Sequence, residues 1–194
     1  MKTTNKIIMQ EARVALSDKW KIVIGCFILS WLMSAANSIV SLLVAGSMAV
    51  GLATFSLSIA RDKELKIIQI FAGFNIFWTS LKTFFLTTIF VILWTILLIV
   101  PGIIAALSYS QVYFILADDP KLRAMEAIEK SKKMMMGNKW KLFCLGLRFL
   151  GWIILSILTL GIGFLWVGPY MMVSYAKFHE DIKRHHNHTT EKAE

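Results

Sequence analysis

The sequence predicts an all-α membrane protein with six short transmembrane helices, arranged as three helical hairpins and joined by amphipathic cytoplasmic interfacial helices. Three observations predict it. First, 57% of the 194 residues are hydrophobic and only 17% are charged, whereas a soluble domain carries about 25% charged residues. Second, the apolar residues gather into three windows, Ile22–Ala60, Thr83–Ala117 and Leu142–Ala176, whose one charge is Arg148. Uncharged runs beyond ~18 residues have the length of a membrane span. Third, the Lys and Arg that make the net charge +9 fall between those windows. These features exclude a soluble globular domain, a disordered tail and a disulfide scaffold.

Each window is too long for one crossing. At ~1.5 Å per residue the first would run about 58 Å and the other two about 52 Å, against a hydrocarbon core of ~30 Å. Each also has a breaker near its middle: Gly46 and Gly51 in the first, Pro101-Gly102 in the second, Gly161 and Gly163 followed by Gly168-Pro169 in the third. Proline lacks a backbone donor and glycine permits a turn. The expected spans are 21–44, 47–60, 79–99, 103–117, 141–159 and 163–178. The alternative, three long kinked helices, would project far beyond the bilayer.

Charge placement sets the expected orientation. Lys2, Lys6, Arg13, Lys19 and Lys21 precede the first window. Arg61, Lys63 and Lys66 follow it, seven further basic residues lie from Lys121 to Lys141, and Lys177, Lys183, Arg184 and Lys192 come last. The expected hairpin tips carry none. Six crossings put all four basic segments and both termini on the cytoplasmic side, as the positive-inside rule requires. Met1–Asp18 reads as a cytoplasmic helix rather than a cleavable signal. The expected organisation is one membrane domain over 1–180, with repeat-like units 1–61, 62–119 and 120–180, and a polar cytoplasmic tail over 181–194.

A threefold internal repeat is suggested by Asp18-Lys-Trp-Lys, Asn138-Lys-Trp-Lys and the looser Asn75-Ile-Phe-Trp. Trp20, Trp78 and Trp140 each open a hairpin and read as interfacial anchors, since indole and ammonium both suit the headgroup boundary. Lys82, Leu86 and Phe90 align with Lys141, Leu145 and Phe149. Any span entering from the cytoplasm would also show Trp and Lys, so the repeat has a simpler rival. The connecting helices carry apolar stripes: Ile8, Ala12 and Ala15; Leu65, Ile68 and Ala72; Leu122, Met125, Ile128 and Met135. Such faces either lie on an anionic leaflet or cap the bundle. Ser30, Ser34 and Ser38 face the spacing of Ala45, Ala49 and Ala53, which predicts close packing within the first hairpin.

Polar groups inside a membrane are the candidates for function. They are Arg148, Asn37, Gln111 and Tyr109, the last two in the cluster Ser108-Tyr109-Ser110-Gln111. Arg148 could bind a lipid phosphate or an anionic substrate, or simply snorkel to the interface. Asn37 and Gln111 suit interhelical hydrogen bonds. No Asp, Glu or His lies deep in a window, and HExxH, GxSxG and P-loop patterns are missing. No catalytic, cofactor or metal site is therefore expected. Cys26 and Cys144 read as reduced and structural, and His185-His186-Asn187-His188 as a solvated tail. The basic segment 121–141 matches no nucleic-acid-binding fold.

Four strings in order carry a resemblance: Leu93-Trp-Thr-Ile-Leu-Leu-Ile-Val-Pro-Gly-Ile-Ile, Tyr109-Ser with Tyr113-Phe-Ile-Leu-Ala-Asp-Asp-Pro, Glu126-Ala-Ile through Met135-Met-Gly-Asn-Lys-Trp-Lys-Leu-Phe, and Gly161-Ile-Gly-Phe-Leu-Trp-Val-Gly-Pro-Tyr. Over about residues 10–180 the chain resembles an uncharacterised family of bacterial integral-membrane proteins, domain of unknown function 975. The resemblance implies a multi-pass protein of the bacterial cell membrane and transfers no catalytic residue. The expected function is non-enzymatic: an accessory protein that binds anionic inner-leaflet phospholipid or a membrane protein or peptide partner, as in protection against membrane-active peptides or modulation of a transport complex. The alternative is a small transporter, channel or lipid-handling protein.

Overall fold

The computed structural model describes residues 3–17, 19–35, 38–159 and 161–191, and the side chains of 31–43 and of 186 onward lie outside that description. Within it the chain is helical, without a strand. The order is α1 (Asn5–Leu16), α2 (Trp20–Ala35), α3 (Ser38–Ala60), a 3-10 helix (Ile67–Ile76), α4 (Phe77–Leu97), α5 (Ile99–Tyr109), α6 (Val112–Asp118), α7 (Ala124–Met135), α8 (Lys139–Leu158) and α9 (Phe164–Glu191). Among the described residues three stretches are long and apolar enough to cross a membrane, namely Ile67–Leu97, Ile99–Asp118 and Lys139–Leu158, while Trp20–Ser30 and Val44–Ala60 are shorter apolar helices.

The reversals differ in detail from those expected. α4 gives way to α5 at a single extended residue, Leu98 (φ −161°, ψ 141°), three residues before Pro101. Pro101 sits in the first turn of α5, where its missing donor would have no intrahelical partner. Gly102 lets α5 lie against α4, since a Cβ there would fall 2.3 Å from Thr95 Oγ1. α8 turns into α9 through Gly161, whose φ of +88° is one that L side chains rarely adopt. Gly163 then lies on Ser156, whose Oγ would be 2.6 Å from an added Cβ. Both hairpins thus close with a glycine against a Thr or Ser seven residues earlier. Both also place a phenylalanine of the first helix against a tyrosine of the second, Phe90 on Tyr109 at 6.1 Å and Phe149 on Tyr170 at 5.3 Å between ring centroids. Pro169 does not break the chain; it is buried inside the continuous α9.

Gly46 and Gly51 are not a hairpin tip either. α3 runs unbroken through both, and they serve a close helix approach instead. A Cβ on Gly51 would lie 1.7 Å from the Ile70 carbonyl oxygen, and one on Gly46 would lie 2.4 Å from that of Ser80. Gly73 reciprocates, at 2.0 Å from the Ser47 carbonyl oxygen. The 3-10 helix is therefore seated backbone to backbone on α3. The tightest packing of α3 uses Gly46, Ser47 and Gly51 rather than the alanine stripe, because glycine admits a nearer backbone than alanine does.

The amphipathic helices turn their apolar faces inward. α1 buries Ile8, Ala12 and Leu16, and Tyr170 Oη donates to the Met9 carbonyl at 3.1 Å. α7 starts where Glu126 accepts from the Arg123 backbone N–H at 2.9 Å and ends before Gly137 at φ +71°. It buries Ala124, Ala127, Ile128, Met134 and Met135, and Ser131 Oγ donates to the Ser108 carbonyl at 2.7 Å. Met125 from the expected stripe is exposed, as is Ile68 of the 3-10 helix, which buries Ile70 and Gly73 instead. The apolar surface left open lies on α4, α5 and α8, including Ile92, Leu97, Ile99, Leu150, Leu155 and Leu158. The boundary expected after residue 180 falls inside α9, where Ile182 is a core residue.

The Gly51 contact is testable by thermal unfolding in detergent. Gly51→Val should cost about 3 kcal/mol, the upper range for overpacking. Gly25→Ala, whose Cβ would meet nothing within 4 Å, should leave stability unchanged. Equal melting temperatures for the two variants would refute the close approach.

Candidate functional site: an ion lock beside a lateral groove

The ends of distant helices converge in one charged layer. Arg61, just past α3, donates through its guanidinium to Asp118 Oδ1 at 2.6 Å and to Glu180 Oε1 at 2.6 Å. Asp118 closes α6, and its other oxygen is paired with Lys183 of α9. His179 sits between that oxygen, 3.4 Å from Nε2, and Gln111 Oε1, 3.1 Å from Nδ1. The imidazole is 1% exposed and stacks on Phe114 at 5.5 Å.

A second set of bonds extends the layer. Asp181 accepts from Lys141 Nζ and from Thr3 Oγ1, each at 2.5 Å, and Asn5 Nδ2 donates to the Lys141 carbonyl at 2.8 Å. Burial would raise the Asp181 carboxyl, but the bonds from Lys141 and Thr3 outweigh it and hold the group below the usual carboxylate range. Lys19 and exposed Asp62 pair at 2.6 Å. One layer thus ties the N-terminal segment, the end of α3, the end of α6, the start of α8 and the middle of α9.

Gln111 links this lock to a groove. A cavity of about 490 Å³ runs between α5, α8 and α9, with Ile103, Leu107 and Leu150 along it and Ser110, Gln111 and Tyr175 as its polar members. Gln111 itself is 1% exposed, and its Nε2 donates to Ser110 Oγ at 3.2 Å. Of the residues singled out from sequence, Gln111 alone belongs to the lock. Tyr109 faces the other side of α5, against Phe90 and in a groove shared with α4. Arg148 is exposed on α8 among apolar neighbours. Asn37 lies outside the described residues. Trp78 and Trp140 are exposed, and Trp140 stacks on Phe143 at 5.4 Å, whereas Trp20 is half-buried against the core. Cys26 and Cys144 are free thiols. His185 lies 3.8 Å from Asp181, and the rest of that tract is outside the description.

Sequence reading did not single out Asp118, His179 or Glu180, and counted Lys183 only among the basic residues of the tail. A signal was present. Ala176, His179 and Ile182 recur every three residues, which places the histidine on the buried face of α9.

Residues 95–186 match the family model described as Protein of unknown function (DUF975). The match runs from the end of α4 into α9, a narrower span than the resemblance predicted. No curated protein and no solved structure matches the chain.

Breaking the lock should be costly. Asp118→Ala leaves Arg61 and Lys183 without their shared carboxylate and, since both cations keep some contact with solvent, should lower stability by about 1–3 kcal/mol; a loss under about 0.5 kcal/mol in detergent unfolding would rule out the lock. The Asp181 bonds give a pH signature. Because the folded-state carboxyl is shifted down, their stabilisation is complete above the unfolded value of about 3.9 and fades as pH falls through the folded one. The stability gap between wild type and Asp181→Asn should be constant from pH 7 to pH 5 and shrink under stronger acid. A gap that widens on acidification contradicts the assignment.

Proposed function

We propose that this DUF975-domain protein is a multi-pass protein of the bacterial cell membrane that acts by binding a membrane component, without catalysis. The observation that carries the reading is the groove between α5 and α8: it is lined mostly by apolar side chains, is bordered by exposed Ile103, Leu147 and Leu150, and has its polar members toward the charged layer. The side chains with the most chemical potential are meanwhile engaged with one another in the charged layer.

Geometry favours six crossings in three hairpins, α2–α3, α4–α5/α6 and α8–α9. From the charged layer outward, Asp118 back to Ile99, Lys141 to Leu158 and Asp181 back to Phe164 rise through about 25–29 Å, close to a hydrocarbon core of ~30 Å. Exposed Trp78 and Trp140 stand near the layer, and exposed Trp94, Trp152 and Trp166 lie toward the opposite end, the pattern of two aromatic belts. The excess of Lys and Arg supports a cytoplasmic position for the layer and, with it, cytoplasmic termini. The matched glycine and Phe–Tyr contacts favour a repeat relating the second and third hairpins. The transporter alternative required Arg148, Tyr109 and Gln111 on one path. They occupy three separate surfaces, so contact with lipid is the part of that alternative with support.

Topology is tested by single-cysteine labelling in a cysteine-free background. Leu98→Cys and Ile162→Cys, both at exposed positions, should react with an impermeant maleimide on intact cells. Lys63→Cys and Lys121→Cys should react only after permeabilisation. Reaction of residue 98 or 162 solely from the inside would overturn the three-hairpin arrangement. In liposomes the protein should add no ion or solute flux above empty vesicles; a flux that Gln111→Leu abolishes would replace the binding role with transport.

A further inference from the structure

We propose that the groove between α5, α8 and α9 holds the acyl chains of one anionic phospholipid, with its phosphate at Lys139. The inference rests on the membrane reading above and names the ligand of that groove. Its dimensions suit lipid. Ile103 on α5 to Gln111 just past its end, and Leu142 to Leu150 on α8, each span about 12 Å, near the ~15 Å depth of one leaflet. The cavity of about 490 Å³ spread over that length is a narrow apolar cleft with room for extended acyl chains.

Polarity runs in the matching direction. The outer part is aliphatic, bordered by exposed Ile103 and Leu150. Nearer the charged layer Ser110 and Tyr175 present hydroxyl groups at the depth of a lipid's ester linkages, with the buried Gln111 amide behind them. Gly146 keeps the space open: an added Cβ would meet nothing nearer than Tyr175 Oη at 3.8 Å. Lys139 lies one turn before Leu142 and Phe143, on the groove face of α8. Lys141 is committed to Asp181, while among the described residues no carboxylate pairs with Lys139. Trp140, stacked on Phe143 beside it, marks the headgroup boundary. A cation at that boundary selects an anionic headgroup.

Native mass spectrometry of the full-length protein, released from nanodiscs of phosphatidylglycerol and phosphatidylcholine in equal parts, tests this. Wild type should retain one phosphatidylglycerol. Gly146→Leu, which fills the groove, should reduce retention at least fivefold. Gly151→Leu, on the same helix with nothing within 4 Å of its Cβ, should retain lipid as wild type does and controls for folding. Lys139→Gln should retain either lipid equally. Equal retention by Gly146→Leu and Gly151→Leu overturns the site, and equal retention of both lipids by wild type overturns the role of Lys139. A dimer that Gly146→Leu dissolves would make a second copy of the chain the occupant and overturn the lipid. None of these results would alter the labelling pattern, which tests the membrane reading separately.

Discussion

The pairing of Arg61 with both Asp118 and Glu180 is the constraint on which the architecture depends. These residues stand at the ends of three different hairpins, and each would be costly to bury alone. An arginine has the fork of donors needed to satisfy two carboxylates at once, which a lysine lacks. Lys183 and His179 complete the coordination of Asp118, so the lock distributes charge instead of isolating it. α1, tied through Asn5 to the Lys141 carbonyl, and the groove are both placed relative to this layer. The groove inherits its polar end from Gln111, whose position is fixed by His179.

Beyond that layer the structure relies on proximity more than on polarity. Lipid supplies little hydrophobic drive for one apolar helix to leave it for another. Close backbone approach is what remains, and the chain achieves it at Gly46, Gly51, Gly73, Gly102 and Gly163. The partner in each case is a carbonyl, or a small hydroxyl residue that adds no bulk.

The helical class and the span-like apolar stretches were legible because they rest on properties of whole windows, namely hydropathy and charge. Local geometry was less so. Glycines were read as breakers, yet Gly46, Gly51 and Gly102 act as contact points, a role that depends on which helix lies opposite. Pro169 was read as an interruption, but it falls early in a helix whose neighbours hold it in place. The amphipathic stripes were real, and their destination was not evident. A stripe suited to a leaflet is equally suited to the side of a bundle, and α1 and α7 took the bundle. At the site, the intramembrane rule favoured Arg148 for being isolated. The groups that came together were those at helix ends, where sequence offers charges of both signs but no indication of which will meet.

The charged layer also has a temporal meaning. A chain emerging from the ribosome exposes Arg61 first, Asp118 some time later, and Glu180 and Lys183 later still. The earlier helices can pair Arg61 with Asp118, but the layer is completed only when α9 brings Glu180, His179 and Lys183 to them. A protein built this way is not a string of independently maturing parts, even where its hairpins resemble one another. α9 is the latch, and without it Arg61 and Asp118 would lack part of the charge that offsets them.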